Sequence, residues 1–136
     1  MLPPLNVVAA VIERHGRILI GQRKRDAPKH ALKWEFPGGK VETGETPGEA
    51  LARELREELA IEAQIGKQIE SYEFYYPSSE RATCLIFFSV SEFAGEPQNL
   101  DFEQIVWAPL KSLPDFDFLE GDVAFVKRLA TTEWDR

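Results

Sequence analysis

Cysteine is nearly absent from this 136-residue sequence, which contains one, Cys84. A single cysteine excludes an internal disulfide framework and any zinc site built from several thiolates. Long apolar runs are also missing, since no stretch approaches the ~18 uninterrupted apolar residues of a membrane span. The first residues lack the cationic and apolar segments of a signal peptide. We therefore expect a cytoplasmic protein that does not bind membranes.

Basic residues are in deficit, with 16 Lys and Arg against 23 Asp and Glu and a net charge of −7. Duplex binding depends on clustered Lys and Arg, so this balance argues against nucleic-acid polymers as partners and leaves small anions open. The hydrophobic fraction of 43% is enough for one packed core. Because no repeat or linker divides the chain, we predict a single domain over residues 1–136.

Patterning predicts strands, one long helix, further strands and a closing helix. The predicted strands cover residues 6–13, 17–23, 34–36, 69–76, 82–90 and 104–108. The first two form a hairpin, residues 24–33 form a loop, and Pro37-Gly38-Gly39 ends the third strand. This order is typical of an α/β protein in which helices flank a sheet.

The long helix has a complete start signal. Thr46 is placed to cap it, Pro47 takes the first helical position, and Glu49 can reach back to the amide of the cap. The helix should end at about Leu59. A leucine at every fourth position from Leu51 forms the apolar stripe that anchors it in the core.

Acidic residues crowd this helix and its flanks, with seven Glu against two Arg between residues 42 and 62. On a helical wheel Glu54, Glu57 and Glu58 share an arc of about 100° beside the leucine stripe. Each like-charge pair at these spacings costs roughly 0.2–0.5 kcal/mol, and more when water is partly excluded. The plain interpretation is a solvated helix face, but the position at the edge of the buried face calls for a compensating charge.

Two kinds of positive charge could compensate. The wheel directs Arg53 towards the glutamates and Arg56 away from them, so arginine alone is insufficient. Clustered oxygen ligands without His or Cys suit Mg²⁺ or Mn²⁺, and Mg²⁺ commonly also takes phosphate oxygens from a substrate. Gly38 precedes the helix and could turn its carbonyl to the same cation, while Lys40 could meet a phosphate. The pattern thus predicts a phosphate-directed metal site.

These residues form a recognisable motif, G-x5-E-x7-R-E-L-x-E-E-x-A-I. Its defined positions are Gly39, Glu45, Arg53, Glu54, Leu55, Glu57, Glu58 and Ile61. The motif closely resembles the Nudix box, G-x5-E-x7-R-E-U-x-E-E-x-G-U, in which U is aliphatic. Ala60 replaces the last glycine of the box, which affects the exit from the helix and no metal ligand.

The wider sequence, including residues 34–47, resembles the MutT-type nucleoside triphosphate pyrophosphohydrolases of that family. The resemblance implies the Nudix fold, an α/β/α sandwich around a mixed sheet in which the box forms a loop-helix-loop. It also implies hydrolysis of nucleoside triphosphates to monophosphate and pyrophosphate, with Mg²⁺ required and Mn²⁺ as an alternative. Oxidised or non-standard nucleotides such as 8-oxo-dGTP are among the implied substrates, in a pool-sanitising role.

The resemblance also implies roles for individual residues. The metal ligands would be Glu54, Glu57, Glu58 and the carbonyl of Gly38. Arg53 would orient the glutamates, and Glu45 would support the assembly. Asp101, six residues before Trp107, matches a further acid of the metal site, with Glu103 as the alternative. Proton removal would fall to Glu54, Glu57 or Asp101.

The residues that bind the nucleotide are less marked. Arg23 and Lys40 resemble residues near the nucleotide and its phosphates. Asp122 lies near the point at which the bacterial 8-oxo-dGTP enzyme has an asparagine, but it is equally placed to cap the closing helix, and we favour the cap. The aromatic candidates for stacking on a base are Phe74, Tyr76, Phe87 and Phe88.

Three other functions stay open at this point. CTP or dCTP could be the substrate in place of an oxidised purine nucleotide. ADP-ribose is another candidate, because Pro77 lies about sixteen residues after the box, as in some ADP-ribose hydrolases of the family. A nucleotide-sensing module without catalysis is the non-enzymatic alternative, which the intact glutamates disfavour.

Overall fold

A mixed sheet forms the centre of the computed structural model, which describes residues 2–77 and 79–131. The elements in chain order are β1 (Leu5–Arg14), β2 (Arg17–Gln22), β3 (Trp34–Glu35), β4 (Gly38–Lys40), α1 (Pro47–Leu59), β5 (Glu62–Gln64), β6 (Gln68–Phe74), β7 (Thr83–Val90), β8 (Glu92–Ala94), β9 (Gln104–Pro109), a 3₁₀ helix (Leu110–Asp115) and α2 (Glu120–Thr131). In this part of the chain, no helix has the length and hydropathy needed to cross a membrane.

Within the described residues, seven strands make up the main sheet. Its order is β3-β2-β1-β7-β6, with β4 also pairing with β1 and β9 with β2. β1 runs parallel to β7, and the other pairings in this sheet are antiparallel. β5 and β8 form a separate antiparallel pair. The mixed sheet confirms the predicted fold class.

Three short strands differ from the sequence-based expectation. β5 and β8 were not predicted, because three-residue strands carry too little alternation to be recognised. The residues of β4 were expected to form a turn, but Gly39 lies opposite Val8 in an antiparallel pairing with β1. Tertiary pairing supplies the hydrogen bonds that hold these glycines extended.

The two helices cover opposite faces of the sheet. Alternation along β1 directs Val8 and Ile12 into one core cluster with Leu51 of α1, and Val11 into the other cluster with Phe125 of α2. Each of these side chains is at most 2% exposed. The resulting α/β/α sandwich is the architecture that the family resemblance implied.

The predicted start of α1 is confirmed in detail. The hydroxyl of Thr46 accepts the N–H of Glu49 at 3.2 Å, and the Glu49 carboxylate accepts the N–H of Thr46 at 2.9 Å. Pro47 is the first helical residue, and the leucines at every fourth position from Leu51 to Leu59 are fully buried. The capping box and leucine stripe therefore set the start and the rotation of this helix.

The start of α2 differs from the prediction, since Asp122 does not cap it. The helix begins at Glu120, and the N–H of Asp122 donates to the carbonyl of Leu119 at 2.9 Å. The preceding segment pairs with β3: Trp34 accepts the N–H of Leu119 at 3.0 Å and donates its own N–H to Asp117 at 2.9 Å. Pairing with a strand, rather than a polar cap, fixes where this helix starts.

Ala60 ends α1 in the left-handed conformation, with φ 57° and ψ 36°. Its N–H donates to the carbonyl of Arg56 at 3.1 Å, which closes the last turn. A Cβ is strained in this region, whereas glycine adopts it freely. The departure from the box motif is thus accommodated at an energetic cost.

We predict that Ala60→Gly raises the free energy of unfolding by about 1 kcal/mol, because glycine relieves the left-handed strain. Ala52→Gly, the same chemical change within α1, should instead lower it by about 1 kcal/mol. Urea denaturation of both variants gives the comparison. Equal destabilisation by the two substitutions would contradict the strain at residue 60.

Candidate active site

Three glutamates lie at different depths along the last two turns of α1. Glu58 is 9% exposed, and its Oε1 accepts the N–H of Gly38 at 3.0 Å. The side chain of Glu54 is 17% exposed and that of Glu57 is 59% exposed. Burial, followed by repulsion from Glu35 and Glu54, raises the pKa of Glu58 to about 9. Burial also raises the pKa of Glu54.

Two glycines bring the backbone of β4 against these acids. A Cβ on Gly39 would lie 2.2 Å from Oε2 of Glu54, and one on Gly38 would lie 2.0 Å from the carbonyl oxygen of Val8. Antiparallel alternation turns both the N–H and the C=O of Gly38 away from β1, on the side of Glu58. The carbonyl predicted as a metal ligand therefore lies on the same side as the glutamates.

Arg53 binds several of the surrounding carboxylates. Its guanidinium donates twice to Glu45, at 2.7 and 3.1 Å, and once to Glu57 at 3.2 Å. Oε2 of Glu54 lies 3.4 Å from its Nη1. Arg56 points away from these glutamates, as the helical spacing predicted. It pairs with Glu62 at 2.9 Å. The bidentate pair with Glu45 holds the guanidinium in place between the glutamates.

The structure distinguishes the two acids proposed from the loop before β9. Asp101 lines a cavity of about 250 Å³, and its charge raises the pKa of Glu35, Glu54 and Glu58. Glu103 instead accepts hydrogen bonds from the backbone and side chain of Arg25, both at 3.2 Å. Of the two acids, Asp101 is therefore the one that interacts electrostatically with the glutamates of α1.

Glu35 is part of the site, although the sequence analysis did not single it out. Burial raises its pKa to about 7, Arg23 lowers it from a distance of 3.5 Å, and Asp101 adds to the repulsion. Glu35 also acts electrostatically on Asp122. A signal was present, because this acid lies in a short strand pattern between two aromatic residues. Glu35 therefore interacts electrostatically both with Glu58 of α1 and with Asp122 of α2.

Arg23 and Lys40, the predicted nucleotide-binding cations, lie at different depths. Arg23 lines the cavity with Glu35 and Asp101, and its Nε donates to the carbonyl of Lys29 at 3.1 Å. Lys40 is exposed at the end of β4. Lys24 also lines the cavity, so two neighbouring cations border it. Asp26, Glu35 and Asp101 line the same cavity, so its wall carries both cations and acids.

Asp122 lies in the first turn of α2 and is 4% exposed. Burial, with a further contribution from Glu35, raises its pKa to about 8. The carboxyl is therefore largely protonated at pH 7 and can both donate and accept hydrogen bonds.

The aromatic candidates have separate positions. Phe87 is fully buried and stacks on Phe125 with 3.8 Å between ring centroids, so it is a core residue. Phe88 packs against the core cluster on the α1 face. The ring of Tyr76 lies 4.9 Å from that of Phe74 and 5.1 Å from that of His30, in the loop at residues 24–33. Of the four, Tyr76 contacts the loop that borders the cavity.

The donor atoms of the site suit a hard divalent cation. They are carboxylate oxygens and a backbone carbonyl, and the raised pKa values of Glu54 and Glu58 mean that a nearby positive charge would favour their ionised forms. Across residues 2–77 and 79–131, no three Asp, Glu, His or Cys side chains already converge as a ligand group. Binding a cation would therefore require these carboxylates to turn towards a common point.

Comparison with known proteins gives consistent matches over nearly the whole chain. A family model described as the NUDIX domain matches residues 2–129. A CTP pyrophosphohydrolase of Escherichia coli is 37% identical over 123 residues, covering 90% of this chain and 89% of that protein. An 8-oxo-dGTP diphosphatase of the same organism is 37% identical over 125 residues, covering 90% and 95%. A MutT NUDIX hydrolase structure from Burkholderia pseudomallei superposes with a TM-score of 0.82 at 28% identity, covering 96% and 100%.

The buried acids predict a decrease in stability with rising pH. Between the usual pKa of Asp122, 3.8, and its folded value of about 8, the folded state holds a proton that the unfolded state has lost. The free energy of unfolding should therefore fall as pH rises through this range, and Glu35 and Glu58 contribute in the same direction. Asp122→Asn should flatten the slope by at most about 1.4 kcal/mol per pH unit.

Urea denaturation from pH 5 to 8.5 in a metal chelator measures this slope. Asp115→Asn, which changes an exposed aspartate, is the control and should leave the wild-type slope intact. Parallel curves for Asp122→Asn and the wild type would contradict the protonated state of the buried carboxyl.

Proposed function

Because this chain belongs to the Nudix family, we propose that it hydrolyses nucleoside triphosphates to the monophosphate and pyrophosphate with Mg²⁺ as its cation. Nudix hydrolases generally require a divalent cation. The observation that carries the proposal is the joint position of three glutamates on α1: Glu54 and Glu57 pair with Arg53, and Glu58 accepts the N–H of Gly38. Mn²⁺ is the alternative metal.

Phosphoanhydride hydrolysis needs neutralised phosphates, a positioned water and a base. Glu54, Glu57, Glu58 and the Gly38 carbonyl would hold the cation, which supplies charge neutralisation and an acidified water when bound. Arg53 keeps the glutamates oriented through its hydrogen bonds. The cationic cleft edge at Arg23 and Lys24, with Lys40, would receive the phosphates.

The proton acceptor is one of Glu54, Glu57 and Asp101, and we favour Glu54. Its carboxylate is held between Gly39 and Arg53 and is largely shielded from water. The side chain of Glu57 is 59% exposed, so it is less shielded from water than that of Glu54.

The nucleobase would meet Glu35 and Asp122, and because Glu35 lies 3.5 Å from Arg23, the contacts with the base and with the phosphates would adjoin one another. Two carboxyls with pKa values of about 7 and about 8 can each donate or accept hydrogen bonds near neutral pH. Because every nucleobase presents both donors and acceptors, the choice among the bases rests on the named relatives. We therefore propose CTP-type nucleotides and 8-oxo-dGTP as substrates, in agreement with the names of the two E. coli relatives.

The alternatives rank lower for specific reasons. The relatives described above are named for triphosphate substrates, so ADP-ribose, suggested by Pro77, is the second candidate. A sensing module without catalysis would not need the complete set of glutamates. The role that we propose for cleavage of 8-oxo-dGTP is removal of an oxidised nucleotide from the pool, in the cytoplasm.

A nucleotide panel tests the reaction. The protein is incubated with 8-oxo-dGTP, the four dNTPs, CTP or ADP-ribose, each with Mg²⁺, with Mn²⁺ or with a chelator. We expect pyrophosphate from 8-oxo-dGTP or CTP with Mg²⁺ and no product with the chelator. Phosphosugar products from ADP-ribose alone, or no cleavage at all, would overturn the proposal.

Glu57→Gln should reduce turnover by about 10²-fold or more, because it removes a charged cation ligand, and should leave the thermal midpoint nearly unchanged. The control is Glu49→Gln on the same helix, where glutamine can still complete the capping box. Wild-type turnover in Glu57→Gln would remove this residue from the metal site.

Gly39→Ala tests the close approach of β4 to Glu54. The added methyl would collide with the carboxylate and displace it, so kcat should fall about 10²-fold while the fold persists. Gly48→Ala is the control, because a Cβ there has no atom of the described structure within 4 Å. Equal kcat values for the two variants would show that Glu54 need not lie against the strand.

A further inference from the structure

Two tyrosine hydroxyls hold the backbone of Gly121 from both sides. The hydroxyl of Tyr72 donates to the carbonyl of Gly121, and the N–H of Gly121 donates to the hydroxyl of Tyr76 at 3.2 Å. Tyr72 lies in β6 and Tyr76 lies two residues beyond its end. Tyr72 and Tyr76, four residues apart, therefore hold the first turn of α2 through hydrogen bonds to its backbone.

These two hydrogen bonds depend on glycine at residue 121. A Cβ on Gly121 would lie 2.4 Å from the hydroxyl oxygen of Tyr76 and 3.0 Å from its Cζ. No larger residue could keep both hydrogen bonds without moving the tyrosine or the helix. The contact is thus a fitted one between this tyrosine and this glycine.

Gly121 immediately precedes Asp122. The carbonyl that Tyr72 binds belongs to the peptide bond joining Gly121 to Asp122, so the orientation of that peptide sets the direction of the Asp122 side chain. The carboxyl also lies within electrostatic reach of both hydroxyls, since it raises the pKa of each tyrosine. The ring of Tyr76 in turn contacts His30 in the loop beside the cavity.

We propose that Tyr72 and Tyr76 are specificity-positioning residues, which fix through Gly121 the direction in which Asp122 meets the nucleobase. This inference rests on the proposed function, because it takes Asp122 as a base-reading group. If Asp122 were displaced, its hydrogen bonds to one base would be misaligned more than its hydrogen bonds to another base. Discrimination among nucleotides should therefore change, whereas the phosphate chemistry at α1 should not.

Tyr76→Phe is the first test, because it keeps the ring contacts with Phe74 and His30 and removes the acceptor of the Gly121 N–H. The readouts are kcat, KM and the dissociation constants of CMP and 8-oxo-dGMP by calorimetry. We expect the preference between the two bases to fall about tenfold through KM and binding, with kcat on the better substrate little changed. Tyr75→Phe is the matched control, since Tyr75 is 66% exposed.

A double-mutant cycle with Asp122→Asn separates positioning from general packing. If Tyr76 acts through Asp122, Tyr76→Phe should change base preference in the wild-type background and add nothing in the Asp122→Asn background. An equal loss in both backgrounds, or an unchanged preference in the wild-type background, would overturn the inference. Tyr72→Phe should behave as Tyr76→Phe does.

The binding measurements distinguish failure of this inference from failure of the proposed function. Base-selective binding that Tyr76→Phe abolishes, in a protein that releases no pyrophosphate, would reject the hydrolytic function and keep the positioning role. If the protein released pyrophosphate and Tyr76→Phe left the base preference unchanged, the hydrolytic function would stand and the positioning role would be rejected. Absence of base-selective binding together with absence of pyrophosphate release would reject both.

Gly121→Ala gives a steric complement. The methyl group should lower both the thermal midpoint and the base preference, because it collides with the Tyr76 hydroxyl. Removing that oxygen in Gly121→Ala/Tyr76→Phe should restore part of the thermal midpoint but not the preference. No thermal recovery would contradict the fitted contact between the two residues.

Discussion

Repulsion among carboxylates that cannot all be solvated is the constraint around which the site is built. Glu58 is buried against the backbone of β4, and Glu54 lies under it with little access to water. Arg53 compensates part of this charge, and its bidentate bond to Glu45 prevents it from moving into solvent. The remaining negative charge is what a divalent cation and a polyphosphate bring into balance, so the same repulsion that weakens the unliganded fold favours the liganded one.

The fold places these carboxylates near a cavity that is lined by both cations and acids. β4 can lie between β1 and α1 because its two glycines leave room for the carbonyl of Val8 and the carboxylate of Glu54. Cations border the cavity on the side where phosphates would bind, and Glu35 links that side to Asp122 in α2. Arg23 and Glu35 form an ion pair in this cavity at 3.5 Å, whereas Asp122 is buried in the first turn of α2.

Sequence reasoning was most successful where the interacting groups are close along the chain. The capping box of Thr46, the leucine stripe and the direction of Arg53 all follow from spacings of three to eight residues, and the structure confirms them. It was wrong at Asp122, because the start of α2 depends on pairing with Trp34. Glu35 was missed for a related reason, since its proximity to Asp122 depends on how β3 lies beside the segment that leads into α2.

Helical periodicity and neighbouring residues were enough to predict the acidic helix, its N-terminal cap, its buried stripe and the box motif that identifies the family. The proximity of Asp101 rather than Glu103 to the glutamates, and the burial of Asp122 near two tyrosines, depend on the folded chain. Those contacts join residues tens of positions apart. Their geometry is set by strand register and by the packing of helices on opposite faces of the sheet, which no local pattern encodes.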